Sequence, residues 1–171
     1  MKIAVLYQSN TGNTKQYAEM ISSELKCDLF DIMDTKKKSL KSYDTIIYGG
    51  PVIIYRVKKL NKAKRFSKGK KLIIFACGGN PGIEEEIFKI KEKTVPNNDY
   101  PFFYLPGGLD FSKLKGMYKF MMGMMKKMLE KNPNKTEDEK VFLKGFYEPV
   151  IYVSKENIKD IVNYVNHDHT K

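Results

Sequence analysis

The chain contains two cysteines and two histidines, and these small numbers exclude several kinds of site. Cys27 and Cys77 form neither a CxxC pair nor a spaced ligand set, so we expect neither a disulfide scaffold nor a zinc finger. A reduced, cytoplasmic compartment fits such cysteine usage best. His167 and His169 lie together in the C-terminal tail, which is more typical of a frayed end than of a metal site. We therefore expect no bound metal and assign no catalytic side chain.

Long apolar runs are also missing. No run approaches the ~20 residues that a membrane-spanning helix requires. The stretch Met1–Tyr7 is too short to form the core of a signal peptide. We therefore expect a chain that neither crosses a membrane nor is exported.

Lysine, in contrast, is in excess. The sequence has 31 Lys plus Arg against 20 Asp plus Glu, a formal net charge of +11. Nine basic residues and no acidic one fall in 56–71, and six lysines against one glutamate fall in 113–131. Phosphates would be attracted to such segments, but base readout relies on arginine and the chain has only Arg56 and Arg65. We expect no nucleic-acid partner, and a lysine-rich solvated face is the simpler alternative.

The chain has 171 residues, of which 42% are apolar and 30% charged, as in an ordinary globular protein of one domain over residues 1–171. Short apolar runs alternate with amphipathic stretches, which predicts an α/β doubly wound sheet. The five predicted strands are 3–7, 27–32, 45–48, 72–76 and 101–105. A helix after the first strand should bury Tyr17, Ala18, Ile21 and Leu25 on one face, and Ser154 is the predicted N-cap of a last helix that buries Ile158, Ile161, Val162 and Val165.

The loop after the first strand, residues 9–14, is rich in short polar side chains. Ligands of such sheets bind beyond the carboxyl ends of the strands, and a helix N-terminus attracts anions. Three hydroxyls and two amides around Gly12 form a phosphate cradle without a lysine. The loop matches neither GxxxxGK[ST] nor GxGxxG. The alternative is a polar turn in which Thr11 or Thr14 caps the helix.

At this loop the sequence resembles the flavodoxin-like family, whose FMN-phosphate loop matches Ser9-x-Thr11-Gly12-x-Thr14. The resemblance implies a five-stranded parallel sheet of order 2-1-3-4-5, with FMN as cofactor. It also implies that the loops 49–55 and 77–82 hold the isoalloxazine ring, and Tyr55 is the preferred stacking residue. Cys77 is interpreted as a small buried hydrophobe rather than a redox centre. The predicted cofactor-binding residues are Ser9, Asn10, Thr11, Gly12, Asn13, Thr14, Gly50, Pro51, Val52, Ile53, Ile54, Tyr55, Cys77, Gly78, Gly79 and Asn80.

A methionine-rich helix is predicted after the fifth strand, with six of the nine methionines between residues 113 and 131. Its apolar arc of about 200° is twice the stripe of about 100° that a helix lying on a sheet requires. Besides a plain core helix, three interpretations of this arc are open: a deeply buried helix, a flexible groove for an apolar ligand, or a surface that rests on a membrane. The residues predicted to form this substrate or membrane surface are Lys115, Met117, Tyr118, Met121, Met122 and Met125.

Residues 106–114 and the methionine-rich segment together resemble the long insertion of the flavodoxin-like protoporphyrinogen IX dehydrogenases, which are quinone-linked FMN enzymes. This resemblance implies an FMN-dependent oxidoreductase that passes electrons from an anionic apolar reductant to a quinone, with peripheral contact at the inner face of the membrane. The alternative is a flavodoxin-type electron carrier between redox proteins. Carriers of that type look acidic, and the net charge of +11 opposes this alternative.

Overall fold

The computed structural model describes residues 2–114 and 116–168. Five parallel strands form the centre: β1 (Ile3–Tyr7), β2 (Asp28–Asp31), β3 (Thr45–Ile53), β5 (Lys71–Gly78) and β6 (Phe102–Pro106). Their order is β2-β1-β3-β5-β6, and a two-residue strand, β4 (Arg56–Val57), pairs antiparallel with the end of β3. With β4 set aside, this is the predicted order 2-1-3-4-5, and the prediction of a doubly wound parallel sheet is confirmed.

Helices cover both faces of the sheet, which explains why its central strands are continuously apolar. On one face α1 (Asn13–Glu24) and α6 (Lys159–Asp168) pack against Val5, Ile47, Ile73 and Phe75. On the other face α2 (Leu60–Phe66) and α3 (Glu84–Thr94) pack against Leu6, Ile46, Tyr48 and Ile74. Adjacent residues of β3 therefore enter different cores.

The predicted burial of Tyr17, Ala18 and Ile21 on α1 is confirmed, and Leu25 packs against the same cluster while partly exposed. Tyr17 also carries a hydrogen-bond network. Its hydroxyl donates to the Pro106 carbonyl at 2.6 Å and accepts from Asn157 Nδ2 at 2.6 Å. Through this hydroxyl the helix after β1 is tied to the end of β6 and to the C-terminal segment.

The C-terminal helix starts later than predicted. A 3₁₀ turn, Glu156–Ile158, comes first, and its N-cap is Lys155. The prediction of Ser154 as the N-cap is therefore wrong. The predicted apolar face is confirmed, because Ile158, Ile161, Val162 and Val165 are buried against the sheet. The apolar spacing identified the buried face, while the start of the helix depended on a local turn.

A two-residue turn joins β3 to β4, with Ile53 paired to Arg56. Both turn residues, Ile54 (φ 49°) and Tyr55 (φ 60°), lie in the left-handed region. Hairpins of two residues require positive φ at both central positions, and glycine or asparagine usually supplies it. A β-branched residue in this region is strained. This strained turn lies at the carboxyl edge of the sheet, beside the site described below.

Between β6 and α6 the chain forms a separate cap. β7 (Gly108–Leu109) pairs antiparallel with β8 (Val150–Ile151), and α4 (Gly116–Lys131) forms a helical pair with α5 (Glu137–Lys144). Gly108 has φ 104°, and a Cβ there would lie 2.0 Å from the Val150 carbonyl oxygen, so only glycine permits this pairing. Phe111 stacks on Phe146 at 3.9 Å between ring centroids, so the first residues of the cap pack against the segment that follows α5.

The methionine-rich helix α4 is largely exposed. Leu129 is its one buried residue, whereas Met117, Phe120, Met124 and Met128 are 81%, 71%, 59% and 66% exposed. The alternatives of a plain core helix and of deep burial are therefore wrong. Lys115 lies outside the described residues. Within the described part of the chain, no helix has both the length and the hydropathy needed to cross a bilayer.

Candidate functional site

A cavity of about 250 Å³ lies at the carboxyl edge of the sheet, where β1, β3, β5 and β6 end. β1 is flanked by β2 on one side and β3 on the other, so strand order reverses here, as at the ligand sites of doubly wound sheets. We call it the carboxyl-edge cavity. Of the residues predicted to bind cofactor, those that line it are Asn10, Thr11, Asn13, Thr14, Pro51, Val52, Ile53, Ile54, Cys77, Gly78 and Gly79.

The 9–14 loop leaves the first turn of α1 without a side-chain cap. Gly12 is the N-cap residue, with φ 99°, and no side chain hydrogen-bonds the turn it begins. The alternative that Thr11 or Thr14 caps the helix is therefore wrong. The first N–H groups of a helix have no intrahelical acceptor, and together they carry about half a positive charge. These groups are available to an anion in the cavity.

Internal hydrogen bonds hold the loop in shape. The Gly12 amide donates to Ser9 Oγ at 3.1 Å, and Gln8 Nε2 donates to Asn10 Oδ1 at 2.7 Å. Asn13 Nδ2 donates to the Gly107 carbonyl at 2.9 Å, which joins the loop to the segment after β6. Ser9 and Gly12 thus shape the loop without lining the cavity, and the hydroxyls that face a ligand are those of Thr11 and Thr14.

Cys77 lies in the cavity wall with 5% of its surface exposed. Burial raises the pKa of its thiol to about 12, and a hydrogen bond from Thr14 offsets only part of that rise. A thiol with this pKa stays protonated at neutral pH and is a poor nucleophile. The geometry agrees with the interpretation of Cys77 as a small hydrophobic residue.

Three other predicted residues lie away from the cavity. The Tyr55 hydroxyl donates to Glu86 Oε1 at 3.2 Å, and Lys93 Nζ lies 4.8 Å from the centroid of the Tyr55 ring. Because Glu86 and Lys93 both belong to α3, the Tyr55 ring lies toward that helix. Any stacking role therefore passes to side chains that line the cavity. Asn80 Oδ1 accepts from the Gly82 and Ile83 amides and orders the turn before α3. Gly50 is needed for packing, because a Cβ there would lie 2.7 Å from Val57 Cγ1.

Sequence reasoning missed one wall of the cavity, formed by the segment after β6. Its lining residues are Gly107, Gly108, Leu109, Asp110, Phe111 and Leu114. The available signal was Pro106-Gly107-Gly108, a glycine pair directly after a strand, in the same position as the two glycine loops that were identified. A Cβ at Gly107 would lie 2.7 Å from Cys77 Sγ, so glycine allows the two loops to meet.

Among the residues that the structure describes, Asp110 is the one carboxylate that lines the cavity. It is 8% exposed and accepts hydrogen bonds from the Ser112 hydroxyl at 2.5 Å and from the Ser112 amide at 3.2 Å. Lys113 Nζ lies 3.0 Å from Asp110 Oδ2. The Ser112 hydrogen bond first, and Lys113 second, hold the pKa of Asp110 below its usual value. The cavity therefore contains one fixed negative charge at neutral pH.

The first half of α4 forms the outer wall. Tyr118, Met121 and Met122 line the cavity, whereas Met117 and Met125 do not. Lys58, which follows β4, lies over the Tyr118 ring with Nζ 4.5 Å from its centroid. This contact joins α4 to the opposite side of the cavity mouth. The structure thus brings three of the residues predicted for the methionine-rich surface into the predicted cofactor site.

Comparison with known sequences gives one family. The family model described as "Flavodoxin domain" matches residues 4–136, more than half of the chain. A flavodoxin of Buchnera aphidicola is 25% identical, with 96% of this chain and 98% of that protein covered. Flavodoxin 1 of Escherichia coli is 31% identical over 84 residues, 43% of this chain and 48% of that protein. A flavodoxin of Haemophilus influenzae is 38% identical over a match that covers 32% of that protein, about a third of its length.

Solved structures give the same type of neighbour. A flavodoxin from the domain Archaea has a TM-score of 0.44 and 19% identity, with 74% of this chain and 98% of that chain covered. Oxidised flavodoxin 2 from Bacillus cereus has a TM-score of 0.41 and 23% identity, with 62% and 86% covered.

Proposed function

Because the chain belongs to the flavodoxin domain family, whose homologues bind FMN, we propose that FMN occupies the carboxyl-edge cavity and that the protein transfers electrons between redox partners. The observation that carries this proposal is the uncapped first turn of α1, which opens onto the cavity where strand order reverses. A neutral ligand would gain little from the partial positive charge of this turn. A phosphate is stabilised both by its N–H groups and by its partial charge.

The residues present fit the phosphate of FMN. Thr11 and Thr14 add two hydroxyls to the first-turn amides, and both line the cavity. Gly12 has φ 99°, a left-handed conformation that glycine adopts without strain, and so turns the chain into α1 behind these donors. Lysine is not needed, because hydroxyl and amide donors gain strength when the acceptor is charged.

The remaining walls fit a flat, largely apolar ring. Ile53 and Ile54 line the cavity from the end of β3 and its turn, Tyr118 and Met122 line it from α4, and Gly78 and Gly79 line it from the end of β5. The cavity volume of about 250 Å³ is below the roughly 300–1,000 Å³ typical of small-molecule sites. We therefore expect part of bound FMN to protrude from the mouth, where a redox partner can reach it.

Bound FMN supplies the electron-transfer chemistry, and the chain supplies position and electrostatics. The Asp110 carboxylate is held ionised in the wall, so it opposes any added negative charge nearby. We expect it to lower the reduction potential of the bound flavin. Asp110→Asn should make the midpoint potential less negative in an anaerobic spectroelectrochemical titration, and an unchanged or more negative potential would contradict this role.

The experiment that tests the proposal is a titration of flavin-free protein into FMN, followed by FMN fluorescence and by absorbance near the flavin maximum. We expect one FMN per chain, and the loaded protein should pass electrons from a flavodoxin reductase to an acceptor protein. A colourless protein that leaves FMN fluorescence unchanged would overturn the proposal. FMN binding without electron transfer would retain the cofactor and reject the carrier function.

A second candidate is supported by α4. Met117, Phe120, Met124 and Met128 give this helix an exposed apolar stripe at one margin of the cavity, and lysines flank it. Such a surface suits an apolar, anionic reductant or an anionic bilayer. On this alternative the protein oxidises a substrate such as protoporphyrinogen IX, passes the electrons to a quinone and contacts the inner face of the membrane peripherally.

The two functions are separated by one comparison. FMN-loaded protein is assayed anaerobically with protoporphyrinogen IX and a quinone, and in parallel with a flavodoxin reductase. Met117→Asp with Met124→Asp changes exposed side chains that do not line the cavity, so FMN content should be retained. Loss of porphyrinogen oxidation or liposome binding in this variant would support the second candidate. Absence of porphyrinogen oxidation in the unmodified protein would reject it.

A further inference from the structure

A second cavity, of about 360 Å³, lies on the far side of the β3–β4 hairpin from the proposed flavin site. Arg56 and Val57 of β4, the start of α2 and the end of α3 form its walls. Four of its lining side chains are cationic and none is acidic: Arg56, Lys59, Lys64 and Lys93. We call it the basic cavity. The 56–71 segment supplies three of these charges, and the fold adds the fourth from α3.

These four cations lack carboxylate partners. Within residues 2–114 and 116–168, none of the four forms an ion pair. Lys64 and Lys93 instead lie over aromatic rings, with Nζ 4.7 Å from the Tyr100 centroid and 4.8 Å from the Tyr55 centroid. Cation–π contacts of this kind leave the ammonium hydrogens free for an acceptor. The cavity therefore concentrates positive charge that the described protein does not neutralise.

An independent observation comes from Thr94, the last residue of α3, which also lines the basic cavity. Thr94 is 4% exposed, and its Oγ1 is buried without a hydrogen-bond partner. Its hydrogen therefore has no acceptor among the described residues. Buried hydroxyls in folded proteins nearly always have a hydrogen-bond partner.

The carboxyl end of α3 acts against anion binding at this wall. A helix C-terminus carries about half a negative charge, whereas four full positive charges surround the same cavity. Lys91 and Lys93 in the last turn of α3 already offset the helix dipole. The balance of charge favours an anion.

We propose that the basic cavity binds a phosphate group, with Arg56 and Lys93 as its main charged donors and the Thr94 hydroxyl as a neutral one. A planar guanidinium suits two phosphate oxygens at once. The cavity is separated from the proposed flavin site by the strained Ile54–Tyr55 turn, and Tyr55 contacts the Lys93 side of it. A phosphorylated ligand held here lies beside the redox site. The group comes either from a soluble phosphorylated molecule or from a lipid headgroup.

The test measures binding of inorganic pyrophosphate by calorimetry to FMN-loaded protein in ~0.15 M salt, where long-range attraction is screened beyond about 8 Å. FMN content is recorded in the same samples, so a failure of flavin binding is detected separately. We expect saturable binding that weakens at least about tenfold in Arg56→Gln with Lys93→Gln, since each lost hydrogen bond to a charged group is worth at least about that factor. Thr94→Val should weaken binding and leave the chain folded.

The matched control is Lys127→Gln with Lys155→Gln, which removes the same charge at exposed positions elsewhere. An equal loss of affinity in this control would overturn the proposal, and so would the absence of saturable binding by the unmodified protein to both pyrophosphate and anionic vesicles. Vesicles that contain phosphatidylglycerol form a second arm. If the Arg56/Lys93 variant loses vesicle binding while pyrophosphate never binds, the phosphate is that of a lipid. If neither probe distinguishes this variant from the control, the basic cavity is not a phosphate site.

Discussion

Thr11→Val with Thr14→Val tests the phosphate site most directly. Valine keeps the branched shape of threonine and removes the hydroxyl, so the change isolates two hydrogen bonds at the 9–14 loop. Thr14 is buried and Thr11 is half-exposed, and both line the carboxyl-edge cavity. The backbone donors of the first turn of α1 remain in the variant. Binding should therefore weaken without being abolished.

The size of the effect depends on what each hydroxyl gives up. A hydrogen bond to a charged group contributes roughly 1.5–3 kcal/mol. Thr14 already hydrogen-bonds Cys77, so its net contribution to phosphate binding should lie near the lower limit. Together the two side chains should contribute about 3–4.5 kcal/mol. This corresponds to an increase of about 10²–10³-fold in the Kd for FMN.

The assay compares FMN with riboflavin, which has the same ring and no phosphate. Both are titrated with flavin-free protein, and the Kd is obtained from fluorescence quenching. The variant should weaken FMN binding and leave riboflavin binding nearly unchanged. Thr35→Val serves as the control, because its hydroxyl donates to the Asp31 carbonyl and lines neither the carboxyl-edge cavity nor the basic cavity. An equal loss for riboflavin, or an unchanged Kd for FMN, would refute the assignment of the loop.

Three further predictions concern stability and reactivity. Tyr17→Phe removes two buried hydrogen bonds and should lower the free energy of unfolding, measured in urea, by about 1–3 kcal/mol. The control Tyr147→Phe, at an exposed hydroxyl, should change this free energy by less than about 0.5 kcal/mol. Equal losses in the two variants would contradict the Tyr17 hydrogen-bond network. Because folding lowers the pKa of Asp110, the contribution of this carboxylate to stability is complete above its ordinary pKa of 3.8 and is lost as pH falls through the folded value. The stability difference between the unmodified protein and Asp110→Asn should therefore shrink in acid. A difference that grows in acid would contradict the direction of this pKa shift. Cys77, with a pKa of about 12, should resist iodoacetamide at pH 8 until the protein unfolds. Rapid alkylation of the folded chain would contradict the burial of this thiol.

The sequence predicted the sheet because burial on two faces leaves a local signature. Thr45-Ile46-Ile47-Tyr48 and Leu72–Ala76 are continuously apolar, and each lies between two layers of helix. The 9–14 loop could also be identified from the sequence, because short polar residues between a strand and a helix form a local pattern with a local cause. Strand order came from resemblance to a family.

Periodicity was less informative about α4. It identified a wide apolar arc, and the structure then exposed most of it, with Met117 81% and Met128 66% exposed. The spacing of apolar residues shows which side of a helix avoids water. It does not show whether the rest of the chain offers a surface to cover that side, because this depends on the path of the distant segments.

Contacts between distant residues lay beyond the sequence for the same reason. Gly107 joins the carboxyl-edge cavity because β6 ends in register with β5, and its amide donates to the Gly78 carbonyl at 2.6 Å. Tyr55 donates a hydrogen bond to Glu86 of α3, away from the carboxyl-edge cavity. Lys93 and Arg56 line the same cavity because α3 packs beside β4. The sequence alone determined which strands are buried on both faces and which polar loop leads from a strand into a helix, since those properties depend on neighbouring residues. Strand register and helix packing decided which side chains share a cavity.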